Sequence, residues 1–354
     1  VAKQPTILEI LDRLEPTVRA AFLQSVQAVA NDTQLAVLVA AIERGDVQAA
    51  LAALRLGPEY FNALDRAIRA AYIEGGEAAI AAFLASASAQ GVGVVARFNE
   101  RNVRAEAYLS QHAATMVQQI SESVRATVRQ VILDSAQVGT SSRTTALNIV
   151  GRINRATGNR EGGVIGLTRS QAAWLSNPAY RRNGTAPGAL EQLISGDPSL
   201  MRSYLTRRTR DRRFDRAVLA AIREDRVIPT RQARAMVRAM QTRVLRMRGE
   251  TIARTELHRA LHASQDEAMW QTLDEAGLRP DAATGIWDAS EDKATRPSHA
   301  DMDMQRRQGN EPFRSGDGNL MRYPGDAALG APASDIINCR CIKRVDIDFL
   351  SGLQ

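Results

Sequence analysis

The chain has 354 residues, 44% of them hydrophobic and only 5% aromatic, with a net charge of +7 at neutral pH. That length suggests two or three domains, and an alanine-rich, aromatic-poor composition suits helical cores built from small residues. No apolar run approaches the ~20 residues of a membrane span, "VAKQPTILEI" lacks the regions of a secretory signal, and Cys339 and Cys341, the only cysteines, exclude a disulfide framework and fit a reducing compartment.

Along residues 1–157 the pattern is that of a helical bundle. Thr33 is placed to cap the helix "QLAVLVAAIER", Gly45 to stop it, Asp46 to start the next, and "LGP" at 56–58 to stop and restart the chain again. The longest helical pattern runs from Arg97 to about Gln137. There Val117, Val124 and Val131 recur at seven, with Ile120 and Thr127 between them, a seam for packing along another helix of the same chain. "GTSSR" at 139–143 breaks the pattern, and a shorter helix follows.

Residues 158–200 hold seven glycines and three prolines and read as a connector with one short helix around "TRSQAAWL". Helical signals resume over 201–276, interrupted at Pro229, and Thr230 is placed to cap a long helix from Arg231. In it Ala233, Val237, Met240, Val244 and Met247 form the buried face, and Glu250 and Arg254 stand in the favourable i, i+4 order for an ion pair. Residues 277–354 are rich in Gly, Pro, Asp and Asn and poor in core, so this small C-terminal module needs a staple. Its closing "CIKRVDIDFL" alternates as an edge strand does. The expected fold class is therefore mainly α: an N-terminal helical bundle, long central helices and a small loop-rich α+β C-terminal module.

Charge is clustered. Of the basic residues only Lys3, Lys293 and Lys343 are lysines, and between Arg202 and Arg248 fifteen arginines face just Asp211, Asp215, Glu224 and Asp225. Arg207, Arg208, Arg210, Arg212 and Arg213 are candidates to neutralise DNA phosphates. An equal reading is a solvated face docking on an acidic protein surface, with Arg216, Arg223 and Arg226 partly paired to local acids.

Cys339 and Cys341 are too close for an easy disulfide. Two readings stand. In one, His299 joins them on a zinc ion, with Asp292 or Asp301 as the fourth ligand. In the other, which is preferred because no second cysteine pair exists, the two cysteines alternate across a strand, one of them packed beside the module's few aromatics. His258 and His262 are four apart on a helix, but Arg259 stands where a zinc protease carries its glutamate, and they read as surface histidines. Glu256 reads as an anchor for the C-terminal module, with Arg296 a candidate partner. No Gly-rich phosphate loop, GxSxG elbow or supported Ser/His/Asp set is present.

Taken in order, "ETIARTELHRALHASQDEAMWQ", Trp287, "RPSHADMD", "PFRSGDGNLMRYPGD" and "INCRC" resemble the Mu F-like phage head morphogenesis family, the minor head proteins, over roughly residues 165–345. The resemblance implies a low-copy, non-enzymatic virion protein that associates with the portal and other head proteins during prohead assembly in the host cytoplasm. It implies a place inside the capsid near the portal and help with DNA packaging or ejection, with packaged double-stranded DNA as a further partner. Its motif positions here are Arg254, Thr255, Glu256, Trp287, Arg296, His299, Asn338, Cys339 and Cys341, which the resemblance marks as structural. The alternatives are a metal-dependent, nuclease-like DNA-processing enzyme and a sequence-blind DNA-binding module.

Overall fold

The structure is a computed structural model and describes residues 5–177, 181–182, 186–290 and 292–351. In chain order it forms α1 (Ile7–Asp32), α2 (Leu35–Glu43), α3 (Val47–Ala52), α4 (Asn62–Ala89), α5 (Val103–Gln137) and α6 (Ser142–Val150). There follow β1 (Arg152–Ile153), β2 (Arg160–Glu161), α7 (Arg169–Ser176), β3 (Arg181–Arg182), β4 (Ala186–Pro187), α8 (Ala189–Ile194), α9 (Pro198–Leu205), α10 (Asp215–Arg223) and α11 (Thr230–Ala276). The C-terminal part holds β5 (Ala283–Asp288), α12 (Pro297–Ala300), β6 (Arg306–Gln308), β7 (Phe313–Arg314), β8 (Leu320–Met321), α13 (Ala333–Ile336) and β9 (Ile342–Ile347). The fold is mainly α with a small α+β C-terminal part, as expected. No single helix among the described residues is long and apolar enough to cross a membrane.

Local chemistry sets most of the boundaries. Asp46 accepts the Ala49 N–H at 2.9 Å and starts α3, and Gly45 before it takes the left-handed conformation at φ 70°. Thr33 does not cap α2; its hydroxyl turns back and donates to Val29 O at 2.8 Å, leaving Gln34 at the cap position with no side-chain bond. The stop before Pro58 is made by Arg55, at φ 46°, rather than by Gly57. Of the seam read from the sequence the 35-residue α5 buries Ile120, Val124, Thr127 and Val131 and leaves Val117 half-buried, and the longest helix is the 47-residue α11.

Described residues between 158 and 200 form short helices with defined caps. Thr168 and Gln171 close a reciprocal capping box on α7, Asp197 caps α9 ahead of Pro198, and Val164, Ile165 and Leu167 are buried. Those three apolar residues stand among glycines, and the glycine texture concealed a core-forming segment.

The chain divides into two compact units that interleave along the sequence. One comprises Phe22–Asn62 and Thr115–Gly249. In it the Thr127 hydroxyl donates to Leu167 O at 3.0 Å and to Ser123 O at 2.8 Å, fixing α5 to the buried segment ahead of α7. The other comprises Val1–Ala21, Ala63–Ala114 and Glu250–Gln354. Here α4 and α11 approach so closely that a Cβ on Gly75 would lie 2.6 Å from Ser264 Oγ, which only glycine avoids. Ile80, Phe83, Met269 and Leu273 of these helices pack with Ala283, Ile347 and Phe349 of the sheet region.

The sheet has the order β6-β5-β9, with both neighbours antiparallel to β5. β9 is an edge, as its alternation indicated, and the Gln90 amide covers the backbone at its end, donating to Ile347 O at 2.8 Å and accepting from Phe349 N at 2.9 Å. Inside the sheet's helix-facing side, Lys343 Nζ meets Asp266 Oδ1 of α11 at 2.6 Å, both buried. A second core, Trp287, Met302, Phe313, Met321 and Ile336, also contains Cys339 and Cys341.

Candidate metal centre

Three donors converge inside that second core. His299 Nδ1 lies 3.5 Å from both Cys339 Sγ and Cys341 Sγ, and the three ligand atoms all fall within 4.8 Å of one another. Zinc–sulfur and zinc–nitrogen bonds of about 2.3 and 2.0–2.1 Å give an S···N separation of about 3.5 Å across a tetrahedron. The donors therefore stand at the edges of a site that suits zinc.

Each donor is fixed by its neighbours. Arg296 takes the cap position and Pro297 the first position of α12, which carries His299. Trp287 lies edge-on to the His299 ring, with centroids 5.6 Å apart at 90°. Asp335, 2% exposed, places Oδ1 4.0 Å from His299 Nε2 while its other oxygen accepts from Asn319 Nδ2 at 2.9 Å. At 4.0 Å this carboxylate is beyond hydrogen-bond reach of Nε2, and Nδ1 is the ring nitrogen that faces the two sulfurs.

The cysteine loop is clamped by its backbone. Asn338 adopts a left-handed φ of 55°, which asparagine tolerates. Its N–H donates to Thr255 Oγ1 at 3.1 Å, and the Arg296 guanidinium donates to Ile337 O. His258 Nε2 lies 2.8 Å from Cys341 O, so the ring donates from that nitrogen. The Cys339 thiol, then burial and His299, act on Cys341, and the balance lowers its pKa. The partner thiol and burial raise that of Cys339. A divalent cation held by both sulfurs would favour both thiolates.

Several expectations are corrected here. The cysteines do not alternate across a strand: both are buried and precede β9. Neither Asp292 nor Asp301 completes the cluster; Asp292 pairs with Arg340, and the nearby carboxylate is Asp335, placed behind the histidine. His258 and His262 are not surface histidines: they are 1% and 0% exposed and meet edge to face with centroids 4.6 Å apart. Burial lowers both, His258 to about 4, so both rings are neutral. Thr255, His258 and His262 lie on one helix face, at i, i+3 and i+7, and that spacing was the available signal that the face is covered.

Glu256 does not reach Arg296. Its Oε2 is 3.3 Å from Arg259 Nη1 and 3.2 Å from Nε2 of His112, whose ring stacks on Tyr108, and its side chain is half-buried. Glu250 pairs with Arg19 at 3.3 Å in place of Arg254, which is exposed. Burial, helped by the Arg259 charge, lowers the His112 pKa to about 3. A depressed histidine stabilises the fold fully above its unfolded pKa of about 6.5, and that stability is lost as pH falls. Burial raises the Glu256 pKa, which acts in the opposite sense, so the comparison must be with a variant. Chemical denaturation at about pH 7.5 and pH 5 should cost the wild type about 2 kcal/mol more than His112→Gln. Equal losses would show that His112 does not titrate with folding.

The motif positions Thr255, Trp287, Arg296, His299, Asn338, Cys339 and Cys341 thus gather on one buried centre. Residues 215–344 match the family model described as Phage Mu protein F like protein. The Mu F-like segment carries α10, α11 and the module through most of β9, and it contains every donor of the centre. It is narrower than the resemblance read from the sequence, and the match does not extend to residues 165–214. It points to a phage head morphogenesis protein, a generally structural class. Searches of curated proteins and of solved structures found no match.

Arg207, Arg208, Arg210, Arg212 and Arg213 precede the Mu F-like segment and lie in the compact unit that contains Thr115–Gly249, which also holds the first part of that segment. Arg213 pairs with the buried Asp211 at 2.7 Å, Arg210 with Asp215 at 3.1 Å, and Arg226 with Glu224 at 2.6 Å. Arg207 lies over the Trp174 ring, 4.5 Å from its centroid, and donates to Gln192 at 3.2 Å. Arg208 and Arg212 are exposed and form no ion pair among the described residues. Three of the five candidate contacts are therefore spent on the local fold.

Proposed function

We propose that the protein is a minor head protein that binds the portal inside the capsid, takes part in prohead assembly and assists DNA packaging or ejection. The observation that carries this reading is the convergence of the Mu F-like motif on a buried Cys-Cys-His centre. Every neighbour of that centre holds a turn or a ring in place, which suits a module that must keep its shape while docked to partners. We further propose that the centre is a structural zinc site held by His299, Cys339 and Cys341. Zinc bound there would tie the end of the module to its start. The exposed arginines Arg208 and Arg212 are the proposed contacts to packaged DNA or an acidic portal surface.

Deleting the gene and supplying it in trans tests the role. Infection without it should yield few DNA-filled heads, and wild-type protein should restore them, whereas His299→Ala should not. Normal numbers of filled heads without the protein would defeat the proposal. One observation favours a second reading: only three donors cluster among the described residues, and three protein ligands is the number that catalytic zinc sites keep. If the centre is a nuclease, purified protein with a divalent metal should cut plasmid DNA, and His299→Ala should abolish the cutting.

A further inference from the structure

In the unit built from Phe22–Asn62 and Thr115–Gly249, a cavity of about 130 Å3 opens between α5, α6, α7 and the N-terminal part of α11. Its charged wall is made by Arg152, Arg234 and Arg238, against one acid, Asp134. Asn148 and Gln241 add polar groups, and the volume holds several waters' worth of ligand. We infer that this cavity binds a phosphate group.

Three features carry the inference. None of the three arginines forms an ion pair among the described residues, although the chain pairs arginines with acids at many other places. The hydrogen bonds of the nearby acids come from amides and not from these arginines: Asp134 Oδ1 accepts from Gln130 Nε2, and Glu161, opposite Arg152 in the β1–β2 pair, accepts from Asn154 Nδ2, both at 2.8 Å. The like charges of Arg152 and Arg234 also act on Arg238. Burial first, and then the charges of Arg152 and Arg234, lower the pKa of Arg238. An unneutralised cluster of this kind is costly, and a tetrahedral oxyanion with several acceptor oxygens relieves it.

The cavity is also built to hold the cluster in place. Arg152 lies in β1, whose partner strand leads to Gly162 at φ 71°. A Cβ on Gly162 would lie 2.9 Å from Cβ and Cγ of Arg238, so the missing side chain leaves room for the Arg238 stem. Arg234 and Arg238 are one turn apart on α11 and line the same wall. This arrangement is distinct from the exposed block at Arg207–Arg213. The phosphate has two available sources, free inorganic phosphate and the backbone of DNA.

Isothermal titration of the full chain with inorganic phosphate, beside anisotropy with a short DNA duplex, tests this. Wild type should bind phosphate saturably at one site. Arg234→Gln and Arg238→Gln should each weaken it about tenfold or more, and Arg216→Gln, outside the cavity, should not. Arg234 is exposed, so its variant reports on the site even where Arg238→Gln perturbs packing. If the same two variants weaken duplex binding and phosphate competes with the duplex, the site takes DNA phosphates. If duplex binding is unchanged while phosphate binding is lost, it takes the free ion. No saturable phosphate binding, or equal weakening by Arg216→Gln, would overturn the inference.

Discussion

Replacing His299 with alanine, or Cys341 with serine, is expected to release one zinc ion per chain and to destabilise the C-terminal module by about 4 kcal/mol or more. Structural zinc supplies about 10–16 kcal/mol to small peptide domains, and this module draws part of its stability from the α4–α11 core as well. The second core is small, and the donors His299, Cys339 and Cys341 join α12 to the approach to β9. Metal analysis of protein refolded with zinc, together with the melting curve before and after chelation, checks the claim. Asp335→Asn gives a graded version: it leaves the ligands intact, removes the carboxylate charge that lies 4.0 Å from the far ring nitrogen, and should weaken zinc affinity less than loss of a ligand does. Loss of stability in Cys339→Ser with no zinc bound to the wild type would mean that the cysteines serve by packing alone.

The second large effect concerns Lys343, one of three lysines in a chain that otherwise uses arginine. Its Nζ lies 2.6 Å from Asp266 Oδ1, and both side chains are buried between β9 and α11. A Cβ on Gly285, across the sheet, would come within 2.7 Å of the lysine Cε, so the strand opposite is shaped to the lysine stem. Lys343→Met removes one charge and leaves the other buried without a partner, which costs about 3–5 kcal/mol. The pair itself can be replaced by apolar residues at little net cost. The denaturation midpoint should therefore fall sharply in Lys343→Met and recover largely in the double variant with Asp266→Leu. A single variant within about 1 kcal/mol of wild type would show that Asp266 is not left as an unpaired buried charge.

What could be read from the residues was mostly what neighbours in sequence decide. The stripe Ile120, Val124, Thr127 and Val131, the cap at Asp46 and the alternation of β9 depend on spacing along one element, and each appears in the structure. The proximity of His299 to the two cysteines was legible because all three lie in a segment with little core of its own. Partner choice across the fold was not legible. His258 and His262 look like surface residues beside Arg259 until the cysteine loop covers their face, and Glu256 finds His112, far along the chain, before it can find Arg296. Asp335 stands four residues before Cys339, yet its role behind His299 follows only from where α12 and α13 come together. Long-range ion pairs were misassigned for the same reason, since Glu250 is matched on its own helix by Arg254 but meets Arg19 instead.

The central claim is that this chain is a component of the phage head, and quantitative mass spectrometry of purified, DNA-filled particles tests it most directly. The account predicts that the protein is present at a small, fixed ratio to the portal, as a symmetric assembly requires. Its absence from filled particles, with the protein left behind in the infected-cell lysate, would contradict the account and put the DNA-processing reading of the Cys-Cys-His centre in its place.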